Sequence, residues 1–346
     1  AAEAAEAHRL LAVLSDAMNS KALVLLARSR WTEGRTLLEG ALRVAEESGV
    51  AAVLIRAYGN LAYTFGEGDL FREGLQMAET GIELARRVGD RDFEWFLQSS
   101  AATGHTWLGE WDEALQLCDE VTASMGENVS QLIASGLLTP QLTVWVGRGE
   151  LDHVEPDELA ARADSSDVQE RGMARTELAL LLAGRGEHTA ACETARLVIV
   201  EDGPVVGIRH PNLRAALPIF VGSALASGQL DAADELVRGL EAMPYGHLSP
   251  FLRGHLLIAR ARIDDARGVT DGVEAGLRTA VRVLEEHELV FHAAQARGHL
   301  AEWLAGQGMR SEAEQTAEQA LVVLEALGAR PWVERLAPLR SVTATA

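Results

Sequence analysis

The stretch His287-Glu288-Leu289-Val290-Phe291-His292 comes nearest to chemistry, two histidines around a glutamate as in a zinc-protease helix. Its histidines are five residues apart, about 140° around a helix rather than on one face. The spacing therefore predicts turn or solvent-facing histidines. His188, His210, His247 and His255 form no i, i+4 pair either. Lys21 is the only lysine and follows Asn19-Ser20, so there is no Gly-x4-Gly-Lys-Ser/Thr loop to cradle phosphates. The glycine pairs 66/68, 147/149, 184/186 and 306/308 each follow a helix-forming run without a preceding strand, and read as turns. No nucleophile elbow is present, and the carboxylates are spread along helix faces. Cys118 and Cys192 stand alone, each on the second helix of a repeating unit, and are expected as buried free thiols in a reducing cytosol. These residue types predict no enzyme, no cofactor and no metal site.

The bulk charge narrows the partners. With 51 acidic against 31 basic residues, the net charge of -20 repels phosphate backbones, so direct nucleic-acid contact is not expected. No apolar run approaches the ~18 residues that a membrane span needs. The N-terminus has no basic segment followed by an apolar one. The expectation is a soluble, cytoplasmic chain without a membrane. It opens AAEAAEAHRL inside a helix-forming stretch and without methionine, which predicts a segment of a longer polypeptide.

A repeat carries the elements. Anchors at Trp31, Phe71, Trp111, Leu151, His188, Leu230, Thr270 and Arg310 fall at intervals of 40, 40, 40, 37, 42, 40 and 40. Nine residues before each anchor stand Ala22, Ala62, Ala102, Leu142, Ala179, Val221, Ala261 and Ala301. Three after each stand Gly34, Gly74, Ala114, Val154, Ala191, Ala233, Val273 and Ala313. Small residues in phase let two helices approach closely, and glycines at 68, 109, 149, 186, 228 and 268 suit a left-handed turn that ends the first helix. The prediction is all-α: an α-α superhelix, a right-handed solenoid of about eight antiparallel helical hairpins with a period of about 40 residues.

Residues 1–200 hold units one to five, and 213–346 hold units six to eight with a capping helix begun by Pro331. Between them 201–212, with Gly203, Pro204, Gly207 and Pro211, is an irregular connection, either a hinge or a long loop. Pro140 and Pro156 predict a kink or a shortened helix between Leu137 and Arg162.

Asn60-Leu61-Ala62, Gly68-Asp69, Phe71, Gly74, Ala78 and Gly81, and again Ala102, Gly109, Trp111, Ala114, Cys118 and Val121, resemble the tetratricopeptide repeat over essentially the whole chain. The period departs from that family's usual 34. Phrases such as LARRVGDRDFEWFLQSSAATGHTWLGEWDEAL and LEALGARPWVERLAPL are similar to the C-terminal helical arms of bacterial STAND-type signalling ATPases, which carry LuxR-type DNA-binding or adenylate cyclase outputs. The first resemblance implies that groove-facing residues of each first helix make the contacts. By position these are Arg56 and Tyr63, Phe96, Thr103 and Trp107, Thr139 and Thr143, and His255 and Arg262. The i, i+7 pairs Arg56/Tyr63, Phe96/Thr103 and His255/Arg262 each share a stripe, and aromatic-plus-arginine groups recur at hot spots. The competing reading is that Phe96 and Trp107 fill core while the arginines are solvated. Asn60 alone does not make a multi-unit carboxylate clamp. The implied role is a sensing or docking arm of a signalling protein or transcriptional regulator that binds a protein or peptide. Alternatives are a small-molecule inducer sensor controlling an attached domain, and a homodimerisation module.

Overall fold

A computed structural model of the chain describes residues 2–125, 131–203 and 207–340. Among these residues every regular element is helical. After a short α1 (Ala2–Ala7) come α2 (Leu11–Ala27) with α3 (Trp31–Ser48), α4 (Ala51–Glu67) with α5 (Phe71–Val88), α6 (Arg91–Leu108) with α7 (Trp111–Ser124), and α8 (Gln131–Arg148) with α9 (Pro156–Ala163). Then follow α10 (Val168–Gly184) with α11 (His188–Leu197), α12 (Pro211–Ala226) with α13 (Leu230–Glu241), α14 (Pro250–Ala266) with α15 (Val273–Glu286), and α16 (Val290–Gly306) with α17 (Arg310–Ala326). The last helix is α18 (Arg330–Leu336).

The small-residue phase is the packing code it was expected to be. All eight residues nine before the anchors are buried, and so are all eight that lie three after them. At Gly34 a Cβ would lie 3.1 Å from the Ala22 carbonyl oxygen, and at Gly74 3.2 Å from that of Ala62. The helices of these hairpins therefore cross backbone to backbone, and a larger side chain at Gly74 should cost about 1–3 kcal/mol in overpacking. In the seventh unit Gly276 lies against Ala261, and a longer turn containing left-handed Gly268 and Gly272 delays the start of α15.

Five of the six turn glycines adopt the left-handed conformation, with φ of 74–79° at Gly109, Gly149, Gly186, Gly228 and Gly268. Gly68 does not: its φ is -93°, and Asp69 takes the left-handed position at 60°. Gly68 is small for another reason, since the Trp31 ring occupies the space a side chain would need. Gly147 repeats this device two repeats along, where a Cβ would lie 2.6 Å from the Trp111 ring.

Pro140 lies inside α8 without ending it, and the shortened helix of that unit is α9, eight residues long with Pro156 in its first turn. Val198–Asp202 continues α11 as a π-helical turn, so the start of the expected irregular connection is helical. Residues 204–206 of that connection lie outside the described residues. By contacts the chain forms two compact units: Ala1–Thr106, Asp112–Gln141 and Gly203–His210 in the first, and Trp107–Trp111, Leu142–Asp202 and Pro211–Ala346 in the second.

In the second unit a charged knot clamps α13 to α14. The Asp234 carboxylate, 3% exposed, accepts from Arg260 at 2.7 Å, Arg267 at 2.6 Å and Arg238 at 2.5 Å. Arg260 also grips Glu241 at 2.7 Å. Ser249 caps α14 by accepting from the Leu252 amide at 3.5 Å, and Pro250 supplies its first turn. The helix that presents His255 and Arg262 is thus held at its start and along one face.

Candidate binding groove

Four helices of the second unit, α12, α14, α16 and α18, supply most of the side chains of the groove. On α14, Phe251, His255, Ile258 and Arg262 recur at helical spacing and form one stripe. On α16, His292, Gln295, His299 and Glu302 form the next. The two stripes meet at one-repeat offset: His255 Nε2 lies 3.1 Å from His292 Nδ1, with a sequence separation of 37.

Aromatic rings close one end of this surface. Trp107 packs edge-on against Phe251 with centroids 4.8 Å apart and stacks on His292 at 5.2 Å. Phe251 lies 4.3 Å from the His255 ring. The fully buried Arg214 of α12 sits over Trp107 at 5.1 Å and over Phe251 at 5.6 Å, a cation-π box within apolar surroundings. Burial here disfavours charged imidazole. It pushes His292 down to about 3 and, with the neighbouring His292 ring, holds His255 well below the ordinary histidine value.

The other end is polar. His299 is buried, with Nδ1 3.4 Å from both Glu302 Oε2 and Arg335 Nη2, and the Trp332 ring lies edge-on to it at 5.1 Å. Burial brings His299 down to about 4. Burial alone would raise Glu302, yet hydrogen bonds from His299 and from Arg335, at 2.5 and 2.6 Å, hold it at about 2. Gly298 makes room for Trp332, whose ring a Cβ there would meet at 2.9 Å.

Arg262 stands between the two ends, and unlike Arg335 it is not held by Glu302. No hydrogen bond or ion pair to its guanidinium is formed among the described residues. Burial, together with the repulsion of Arg335, brings it down to about 10, with only partial relief from Glu302. Two cavities of about 550 and 350 Å³ are both walled by Arg262, His299 and Arg335. The larger is completed by Trp303 and Leu277, the smaller by His255, Gln295 and Trp332.

The residues that resemblance singled out divide between the units. In the first, Arg56 is paired with Asp16 at 2.9 Å and reaches the Ser20 hydroxyl at 3.3 Å, while Tyr63 is half-buried on the same stripe. Phe96 packs at Gly59 and lies 6.3 Å from Phe93. Thr103 donates to the Ser99 carbonyl and Thr139 to that of Ser135. In the second unit Thr143 is half-buried on α8, and Trp107, His255 and Arg262 come together in the groove just described. His292 was expected in solvent or a turn; it lies instead in the aromatic cluster, whereas His287 is at the end of α15. Spacing within one helix did not reveal His292, His299 or Arg335. A comparison of positions one repeat apart, such as His255 with His292, is the signal that could have done so.

Among the described residues no three metal-ligating side chains converge, and no helix is long and apolar enough to cross a membrane. Both cysteines are buried free thiols; Cys118 donates to the Leu137 carbonyl at 3.6 Å, and burial pushes it up to about 12.

Known proteins resemble this chain only in fold. No family model and no curated protein matches it. Among solved structures, a Rap protein complexed with Competence and Sporulation Factor aligns with a TM-score of 0.53 at 10% identity, covering 94% of this chain and 97% of that one. A tetratricopeptide repeat protein from Parabacteroides merdae aligns at 0.42 and 14% identity, over 81% and 98% of the two chains. Yeast Tom70 aligns at 0.30 and 10% identity, over 95% and 81%. The first similarity shows the fold, an array of tetratricopeptide-type helical repeats; the TM-scores of the other two are too low to add to it.

Proposed function

We propose that the second unit is a docking groove for an extended peptide or protein segment, and that the chain is a non-catalytic recognition arm. The observation that carries this reading is a pair of cavities meeting at an arginine with no partner, on a helical-repeat fold whose stacked first helices form a ready surface. Aromatic rings at one end and polar groups at the other suit a ligand with both apolar and charged side chains. The solved Rap protein that shares the fold is itself bound to Competence and Sporulation Factor, which makes factor-type ligands a reasonable place to begin. Placement on a bacterial signalling ATPase or LuxR-type regulator is the finer reading, and it rests on sequence phrases such as LEALGARPWVERLAPL. In that setting occupancy of the groove would be the signal that an attached output module reads.

A pool of random decapeptides, acetylated and amidated at their ends, tests the reading. Selective binding to the folded state should raise the melting temperature. It should also slow amide hydrogen exchange along α14 and α16. Arg262→Glu should abolish both effects. Unchanged exchange on α14 and α16 at saturating pool would overturn it. So would a melting shift given only by small organic molecules, or a stable dimer in light scattering that hides these helices.

A further inference from the structure

We infer that the groove selects an acidic side chain, aspartate or glutamate, inside an extended segment that runs past Arg262. This inference rests on the docking reading above and names the ligand that the groove accepts. Three observations lead to it.

The first is the missing counter-charge. In a chain with 51 acidic residues, several half-buried arginines of the second unit are matched with carboxylates: Arg260 to Asp234 and Glu241, Arg267 to Asp231 and Asp234, Arg162 to Glu177, and at the groove itself the more exposed Arg335 to Glu302. Arg262 is half-buried, lines both cavities and has no such partner. A guanidinium taken from water without a carboxylate is an unfavourable arrangement that a ligand carboxylate would relieve through a paired, charge-assisted contact.

The second is that the nearest carboxylate is committed elsewhere. Glu302 receives two hydrogen bonds from Arg335 and faces His299 Nδ1. It therefore does not neutralise Arg262, and Arg335 is not free to compete for the incoming anion. His299 and His255, kept neutral by burial, add no positive charge to the site, so a single carboxylate suffices to balance it.

The third concerns which carboxylate. Arg262 is the shared wall of two cavities rather than the floor of one. A segment that occupies both presents a side chain at Arg262, not its own end. The single fork of one guanidinium matches one carboxylate in bidentate fashion, with no lysine and no second free arginine among the residues lining the two cavities. The net charge of -20 repels acidic molecules at long range, so discrimination must come from this close contact, and association should speed up with added salt.

The experiment uses four heptapeptide pools, random except at the central position, which is Glu, Gln or Lys in three end-blocked pools. The fourth has central Gln and a free C-terminal carboxylate. Binding is read by competition against a fluorescein-labelled Glu-centred pool. The Glu pool should compete at least about tenfold better than the Gln pool, the gain that one charge-assisted pair confers. Arg262→Gln should erase that preference while a melting curve shows it still folded, and Arg262→Lys should restore only part of it. Equal competition by Glu and Gln pools would overturn the acidic selectivity and leave peptide docking intact. Preference for the free-terminus pool would overturn the internal side chain in favour of a chain end. Failure of every pool, including the labelled one, would remove the docking reading together with this one.

Discussion

Arg260 and Arg262 sit two positions apart on α14, about 200° apart around the helix, and face opposite electrostatic worlds. Arg260 turns to α13, where Glu241 and Asp234 hold it above its ordinary value, and in return Asp234 is held well below the usual carboxylate range by Arg260, Arg267 and Arg238. Arg262 turns to the groove, where burial without a carboxylate brings it down to about 10. The same residue type, on the same rigid helix, thus serves in one place to hold the fold together and in the other stays available for a ligand. The difference teaches that arginine content says little about function until each partner is known. A satisfied guanidinium is part of the structure, and an unsatisfied one retained at a cost points to something that binds it.

Removing the acceptor of the knot should give the largest effect. Asp234→Asn leaves three arginines around a neutral amide and should destabilise the protein by about 3 kcal/mol, the low end for a broken buried pair because the arginines are partly exposed. Urea unfolding at pH 7 measures it. Since the folded carboxyl is depressed, its contribution is complete above the unfolded value near pH 4 and fades as acid protonates the folded form. Wild type and variant should therefore converge in acid; a difference that persisted at low pH would show that Asp234 acts by packing instead.

The histidines of the groove give the next effect, with the same sign in pH but in a higher window. His292 and His299, at about 3 and 4 in the fold, bind fewer protons than in the unfolded chain between those values and about 6.5. Stability should be full above that window and fall as pH drops through it, by about 2 kcal/mol per ring at pH 5. His292→Gln should flatten the dependence by its share while His299 keeps its own. A slope unchanged by His292→Gln would mean that the ring titrates normally and that the aromatic cluster is open to water.

The smallest effect is the sharpest for the comparison. Arg262→Met replaces an unpartnered guanidinium with an apolar chain of similar reach and should raise stability by about 1 kcal/mol while peptide binding is lost. Asp234→Asn should do the reverse, lowering stability while leaving the preference for acidic peptides at the groove in place. If Arg262→Met destabilised the fold as well, the two arginines would be alike and the contrast would collapse.

Much of the fold was legible because helix packing writes itself in local spacing. Ala22 before Trp31, Ala62 before Phe71 and Gly74 after it had to be small, since their helices touch through backbone atoms, and their periodicity shows along the chain. Gly68 was legible as a turn residue but for the wrong reason: only the packed Trp31 ring shows why a side chain is excluded there. Of the groove, Trp107, His255 and Arg262 could be placed by position in the repeat. His292 was missed, because within its own helix it looks isolated and only its offset of one repeat from His255 marks it.

By itself the sequence determined that the chain is a series of helical pairs in a fixed phase, because burial of small and apolar residues follows the periodicity of the helix that carries them. Tertiary structure alone decided that Arg260 is neutralised and Arg262 is not, and that His255 meets His292. Those pairings depend on atoms of different helices brought within about 3–4 Å, and the inverse dependence of Coulomb energy on distance makes a few ångströms decisive where sequence separation says nothing.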